Sequence, residues 1–131
     1  MKYILMMNCP RNGYELMGSW PKEAVQAHIA FMHSLNKDLR EAGELAAAEG
    51  LADPKQAVIV RVGKDGAPVT DGVFPESKEF LAGYWIVDVE GEKRAHEIAA
   101  RASSAPGPDG KPFVIPIEVR QVMSACREPL D

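Results

Sequence analysis

Few side chains in this chain are suited to chemistry, and His28 and Asp71 head them. His28 lies three residues after Val25 and four before Met32, on or beside the apolar stripe of a helix. An imidazole at such a boundary is of the residue type that can act as a general base. The plainer reading is a histidine that packs and makes one hydrogen bond. His33 shares its side of the helix with Asn36, Lys37 and Arg40 and is expected in solvent, as is His96 beside Lys93 and Glu97. Asp71 precedes Gly72, a pairing common in turns, where the carboxylate bonds nearby backbone. Its functional reading is a carboxylate that orients His28 or itself takes a proton.

A second group of residues suits binding. Glu76, Lys78 and Glu79 form a charged loop between Phe74 and Phe80, just ahead of the most apolar strand. Charge runs are usually solvated faces, but a loop pinned at both ends is also a good place for substrate contact. Arg61, Glu118 and Arg120 are strand charges; they read either as an ion pair at an interface or as arginines receiving a carboxylate. Glu76, Lys78, Tyr84, Arg61 and Arg120 are therefore the candidate substrate contacts. Cys9, between an apolar strand and Pro10, reads as an inert thiol before a nucleophile. No G-x-S-x-G elbow, P-loop, Rossmann glycine pattern or H-E-x-x-H occurs, and neither a metal nor a cofactor is expected.

The elements that must position these residues follow from periodicity. Lys2 to Asn8 is a strand, apolar on both parities, with Tyr3, Leu5 and Met7 on one side. Cys9 to Gly13 is a turn or loop. Ser19-Trp20-Pro21 opens a long helix with the stripe Val25, Ile29, Met32, Leu35, Leu39 and Ala42, stopped by Gly43. Glu44 to Gly50 reads as a linker, and Gln56 to Val62 as the second strand. Lys64-Asp65-Gly66 is a hairpin turn that returns through Ala67 to Thr70, and Asp71-Gly72 breaks the line. Ala82 to Val89 is the central strand, with Trp85, Val87 and Val89 opposite Tyr84 and Ile86. A second helix carries the stripe Ala95, Ile98, Ala99 and Ala102. Ser103 to Pro112 is a Pro/Gly loop, and Ile115 to Val122 is the last strand.

This order predicts one α+β domain over residues 1–131, a ferredoxin-like βαββαβ unit with an antiparallel four-stranded sheet. Two helices cover only one face of such a sheet, and apolar residues on both strand parities predict a homodimer packed sheet on sheet. The formal net charge of -4 argues against nucleic acid or an anionic membrane surface as partner. The two cysteines, Cys9 and Cys126, make no disulfide framework. The apolar start lacks the features of a signal peptide, and no run has the length of a membrane span, so a cytoplasmic protein is expected.

The run Thr70-Asp71-Gly72-Val73-Phe74-Pro75-Glu76-Ser77-Lys78-Glu79 resembles the DGPF-x-E-T-K-E signature of the YCII-related (DGPF-domain) proteins. The continuation Phe80 to Val89, the opening Met-Lys-Tyr-Ile-Leu-Met-Met, the helix end Leu39 to Gly43 and the strand Ile117 to Val122 are similar to that family as well. Val73 stands where the signature has proline. The resemblance implies a dimeric α+β barrel. It further implies a histidine and an aspartate as the suspected catalytic pair, by likeness to muconolactone isomerases and dehydrochlorinases. On that footing His28 and Asp71 would transfer a proton to or from a small organic molecule in an isomerase- or lyase-like step. Some family members accompany sigma factors, which implies as alternative a non-catalytic dimeric module that binds a ligand and regulates transcription.

Overall fold

The computed structural model of the chain describes residues 1–10, 12–72 and 79–123. The chain runs β1 (Lys2–Pro10), α1 (Gly13–Gly18), α2 (Lys22–Glu41), β2 (Leu45–Gly50), a 3-10 turn (Pro54–Gln56), β3 (Val58–Val62), β4 (Pro68–Gly72), β5 (Glu79–Asp88), α3 (Glu92–Ser103) and β6 (Ile117–Gln121). Strands β2, β5, β1 and β6 form one four-stranded sheet in that order. All three of its pairings are antiparallel. This is the strand order of a ferredoxin-like α+β unit, with β3 and β4 set apart as a two-stranded ribbon.

Helices α2 and α3 share one face of the sheet. Tyr3, Leu5, Trp85 and Val87 from the strands meet Leu35 and Leu39 from α2 and Ala95, Ile98, Ala99 and Ala102 from α3. Each fully buried aliphatic side chain of this set, Leu5 and Leu35 among them, contributes roughly 1.5–3 kcal/mol. The stripe expected for α3 is the one observed. Strand alternation leaves Ile4, Met6, Tyr84 and Ile86 on the opposite face, half-buried, with Glu118 and Arg120 beside them at the edge.

Three expectations about the sheet and α2 are corrected. The second sheet strand is Leu45–Gly50, a stretch whose sequence reads as a linker. Alanine-rich Leu-Ala-Ala-Ala-Glu-Gly has no strand signature of its own; it becomes a strand because the exposed edge of β5 supplies hydrogen-bond partners. The segment read as that strand, Gln56 to Val62, instead pairs only with β4. Its Val58, Val60 and Val62 all stand exposed. In the third correction, the buried face of α2 is turned from the expected stripe. Ala24, His28, Leu35 and Leu39 are buried, whereas Ile29 is 47% exposed. Leu35 and Leu39 were in the stripe; at its start, the contact with the 103–112 loop draws His28 inward.

One turn signal is observed as expected, and two fall inside strands: Asp71-Gly72 ends β4 and Cys9-Pro10 ends β1. Lys64-Asp65-Gly66 does reverse the β3–β4 ribbon, with Gly66 at φ +86° and the Asp65 carboxylate accepting from the Ala67 N–H. In place of the loop expected over Cys9 to Gly13, Cys9 and Pro10 belong to β1 and Gly13 begins α1. Among the described residues no helix is long and apolar enough to cross a membrane.

Candidate functional site

His28 sits in the second turn of α2, 7% exposed, and among the described residues it is the buried polar one. Its Nδ1 lies 3.0 Å from the Pro106 carbonyl oxygen. A carbonyl only accepts, so Nδ1 carries the hydrogen and donates, and in the neutral ring Nε2 is the bare, basic nitrogen. Trp20 packs its ring edge-on against the imidazole at 5.8 Å and against Phe113 at 5.2 Å. The loop after α3 thus closes over the start of α2: Phe113 N–H donates to Ala105 and Gly107 N–H to Lys111. A Cβ at Gly107 would stand 3.0 Å from the Phe113 ring, so the glycine lets that ring pack closely on the loop.

A cavity of about 220 Å³ opens beside His28, between α2 and the helix-side face of the sheet. His28, Met32 and Asn36 line it from α2, in successive four-residue steps along one side of the helix. Met7 lines it from β1, Ala48 and Gly50 from β2, and Ala82, Gly83 and Trp85 from β5. The space exists because the floor has little side chain. A Cβ at Gly83 would approach the Glu49 carbonyl oxygen to 2.9 Å, so strands β2 and β5 can pair there only around glycine. A Cβ at Gly50 would meet nothing within 4 Å. Trp85 donates its indole N–H to Asn36 Oδ1 at 2.7 Å, tying the far wall of the cavity to the helix.

Asp71 lies elsewhere. It is inside β4, paired with Ile59, and so is a strand residue where a turn was expected. Its carboxylate accepts from Arg61 Nε at 3.3 Å. Both side chains are more than half exposed, and such a pair is worth at most about 1 kcal/mol. Two candidates thus hold one another on the ribbon, and neither lines the His28 cavity of the same chain. Tyr84 borders the cavity, but alternation with Trp85 sends its side chain to the other face of the sheet, where Glu49 is its cross-strand neighbour. Arg120 is exposed on β6, opposite Ile4. Glu76, Lys78 and Cys126 lie outside the described residues.

Cys9, half-buried at the end of β1, has its thiol pushed up by burial, then by the carboxylates of Asp53 and Glu79. That keeps it protonated and weakly nucleophilic, as the sequence suggested. Among the described residues, no group of three or more histidines, cysteines or carboxylates is gathered to hold a metal ion. Asn36 is a site residue that the sequence does not single out, since its neighbours His33, Lys37 and Arg40 point to the solvent side. The available signal was its place eight residues after His28 in the same four-step row.

The YCII-related domain matches residues 1–107, most of the chain. The chain belongs to the YCII-related family. An uncharacterised protein of Rhizobium meliloti (strain 1021) is similar at 26% identity over 106 residues, covering 81% of this chain and 86% of that one. The matched family region contains His28, the cavity and Asp71, along with the whole sheet except β6.

Proposed function

We propose that this YCII-related protein binds a small organic molecule in the cavity between α2 and the sheet, with His28 Nε2 as the base of a cofactor-independent, isomerase- or lyase-like proton transfer. One observation carries the reading. A buried imidazole lines a cavity with its Nδ1 committed to the Pro106 carbonyl, so its basic nitrogen is the one left for a ligand. The ring needs no carboxylate to fix its tautomer, because the backbone carbonyl does so. Asp71 enters this proposal as a group of a second protomer, delivered on the β3–β4 ribbon, and the substrate contacts proposed for Glu76, Lys78, Arg61 and Arg120 belong to the same assembly. A homodimer is supported by the apolar sheet face of Ile4, Met6 and Ile86 and by a ribbon that carries three exposed valines. A cytoplasmic site of action accords with the half-buried free thiol of Cys9.

A binding module without turnover is the second reading. It is favoured by the His28–Pro106 bond, which gives the histidine a structural task of its own. Deuterium exchange separates the two. The protein is incubated with a cell-extract metabolite pool in D2O, and the pool is scanned by mass spectrometry. Proton transfer at carbon deuterates one component with the native protein and not with His28→Gln. A component that is retained by the protein but never deuterated establishes the binding module instead. Sedimentation at twice 14.3 kDa is expected for the dimer, and a mass of 14.3 kDa excludes it.

A further inference from the structure

We infer that Asn36 is the second polar anchor of the His28 cavity, and that the molecule bound there has a flat apolar body with a neutral carbonyl at the Asn36 end. This rests on the cavity being a binding site, as proposed above, and adds a binding residue and a ligand class to it. The indole N–H of Trp85 can only donate, so the atom of Asn36 that faces it at 2.7 Å must be Oδ1. The Asn36 amide is therefore oriented, and its Nδ2 hydrogens are the ones left over. Asn36 lines the cavity and is half-buried, so those hydrogens form a fixed donor available to a ligand. A fixed donor recognises an acceptor such as a carbonyl oxygen, and rejects an analogue lacking it.

Charge argues for a neutral acceptor. Among the described residues that line the cavity there is no lysine or arginine. Glu49, which also lines it, brings a negative charge, so a ligand carboxylate would meet a like charge and no fixed cation there, which is unfavourable. Spacing sets the length. His28 and Asn36 are eight residues apart on α2, about 12 Å along the axis at 1.5 Å per residue. With a hydrogen bond of about 3 Å at each end, two anchors two turns apart leave room for a single ring that carries polar groups at opposite ends. Met32 lies midway on the helix, with Met7 reaching the cavity from β1, and two thioethers suit the face and edge of such a ring. The volume of about 220 Å³ holds a ligand smaller than a drug-sized molecule.

The test titrates the intact protein with three probes, 4-hydroxyacetophenone, 4-hydroxybenzoate and 4-isopropylphenol, by ligand-observed NMR and calorimetry. The ketone is expected to bind at least tenfold more tightly than the carboxylate or the alkylphenol. Asn36→Asp keeps an oxygen for the Trp85 N–H and replaces the free donor by an acceptor. It is expected to weaken the ketone at least tenfold while near-UV circular dichroism stays native. Gly50→Val fills the cavity from its open side and is expected to abolish binding. Ketone binding that Gly50→Val removes and Asn36→Asp leaves unchanged overturns the role of Asn36 and keeps the cavity. Tighter binding of the carboxylate overturns the ligand class. Failure of all three probes to bind, or binding indifferent to Gly50→Val, overturns the inference; continued deuteration of a metabolite by the native protein would then leave the proton-transfer reading standing.

Discussion

The Pro106 carbonyl oxygen lies 3.0 Å from His28 Nδ1 and so decides which nitrogen of the imidazole is basic. The same bond clasps the loop after α3 to the beginning of α2, across 78 residues of sequence. His28→Ala removes the bond, leaves the Pro106 oxygen without its donor and opens space beside Trp20. A loss of about 2–4 kcal/mol is expected from the missing bond and the cavity together. His28→Asn, which retains a donor on a shorter side chain, should recover part of it. Urea unfolding checks both; a change below the error of the measurement for His28→Ala would show that the clasp carries no stability.

Gly83 and Gly50 both line the cavity, yet they should respond oppositely to a methyl group. At Gly83 the new carbon would stand 2.9 Å from the Glu49 carbonyl, a backbone atom that cannot move without breaking the β2–β5 pairing. Gly83→Ala is expected to cost about 1–3 kcal/mol. At Gly50 nothing lies within 4 Å, so Gly50→Ala should be neutral or stabilising by a few tenths of a kcal/mol through the unfolded chain. Thermal melts of the two variants should differ by several degrees, and equal melting points would contradict the packing described.

Cys9 should alkylate slowly. Burial first, then Asp53 and Glu79, hold its thiol above the ordinary thiol range, so the thiolate is scarce at neutral pH. The rate with iodoacetamide, followed at Cys9 by peptide mass spectrometry, should rise with pH well beyond the point where a free thiol has levelled off. A half-maximal rate at or below the ordinary thiol range would refute this.

Glu44 and Arg94 join the start of β2 to α3 by two hydrogen bonds of 2.8 Å. The bond from Arg94 is the main cause that lowers the Glu44 carboxyl below the ordinary carboxylate range. A lowered folded value means that the unfolded chain takes up the proton first as pH falls. The stabilisation is therefore complete at neutral pH and is lost as the pH drops through and below the ordinary carboxylate range. Arg94 is 43% exposed, so screening holds the contribution to at most about 1 kcal/mol. Glu44→Gln should lower stability by about that much at pH 7, and by nothing measurable in strong acid. A difference that stays constant with pH would sink the assignment.

What the sequence determined by itself is local. The alanine-rich stripe of α3, the Asp65-Gly66 reversal and the alternation that buries Trp85 and Val87 depend on neighbours within a few residues, and each was legible. The YCII resemblance was legible too, on a contiguous run of residues, and it brought the fold with it. His28 could be singled out because it breaks an apolar helical pattern. The partnerships of these residues were decided only in three dimensions. Leu45–Gly50 is a strand because β5 has a free edge, and Val58–Val62 is outside the sheet because that edge is already taken. Asp71 faces Arg61 across the ribbon instead of His28. The Trp85 indole reaches Asn36 over 49 residues and thereby aims an amide that the sequence left anonymous. Hydrogen bonds at such separations are made between elements, and no spacing within one segment encodes them.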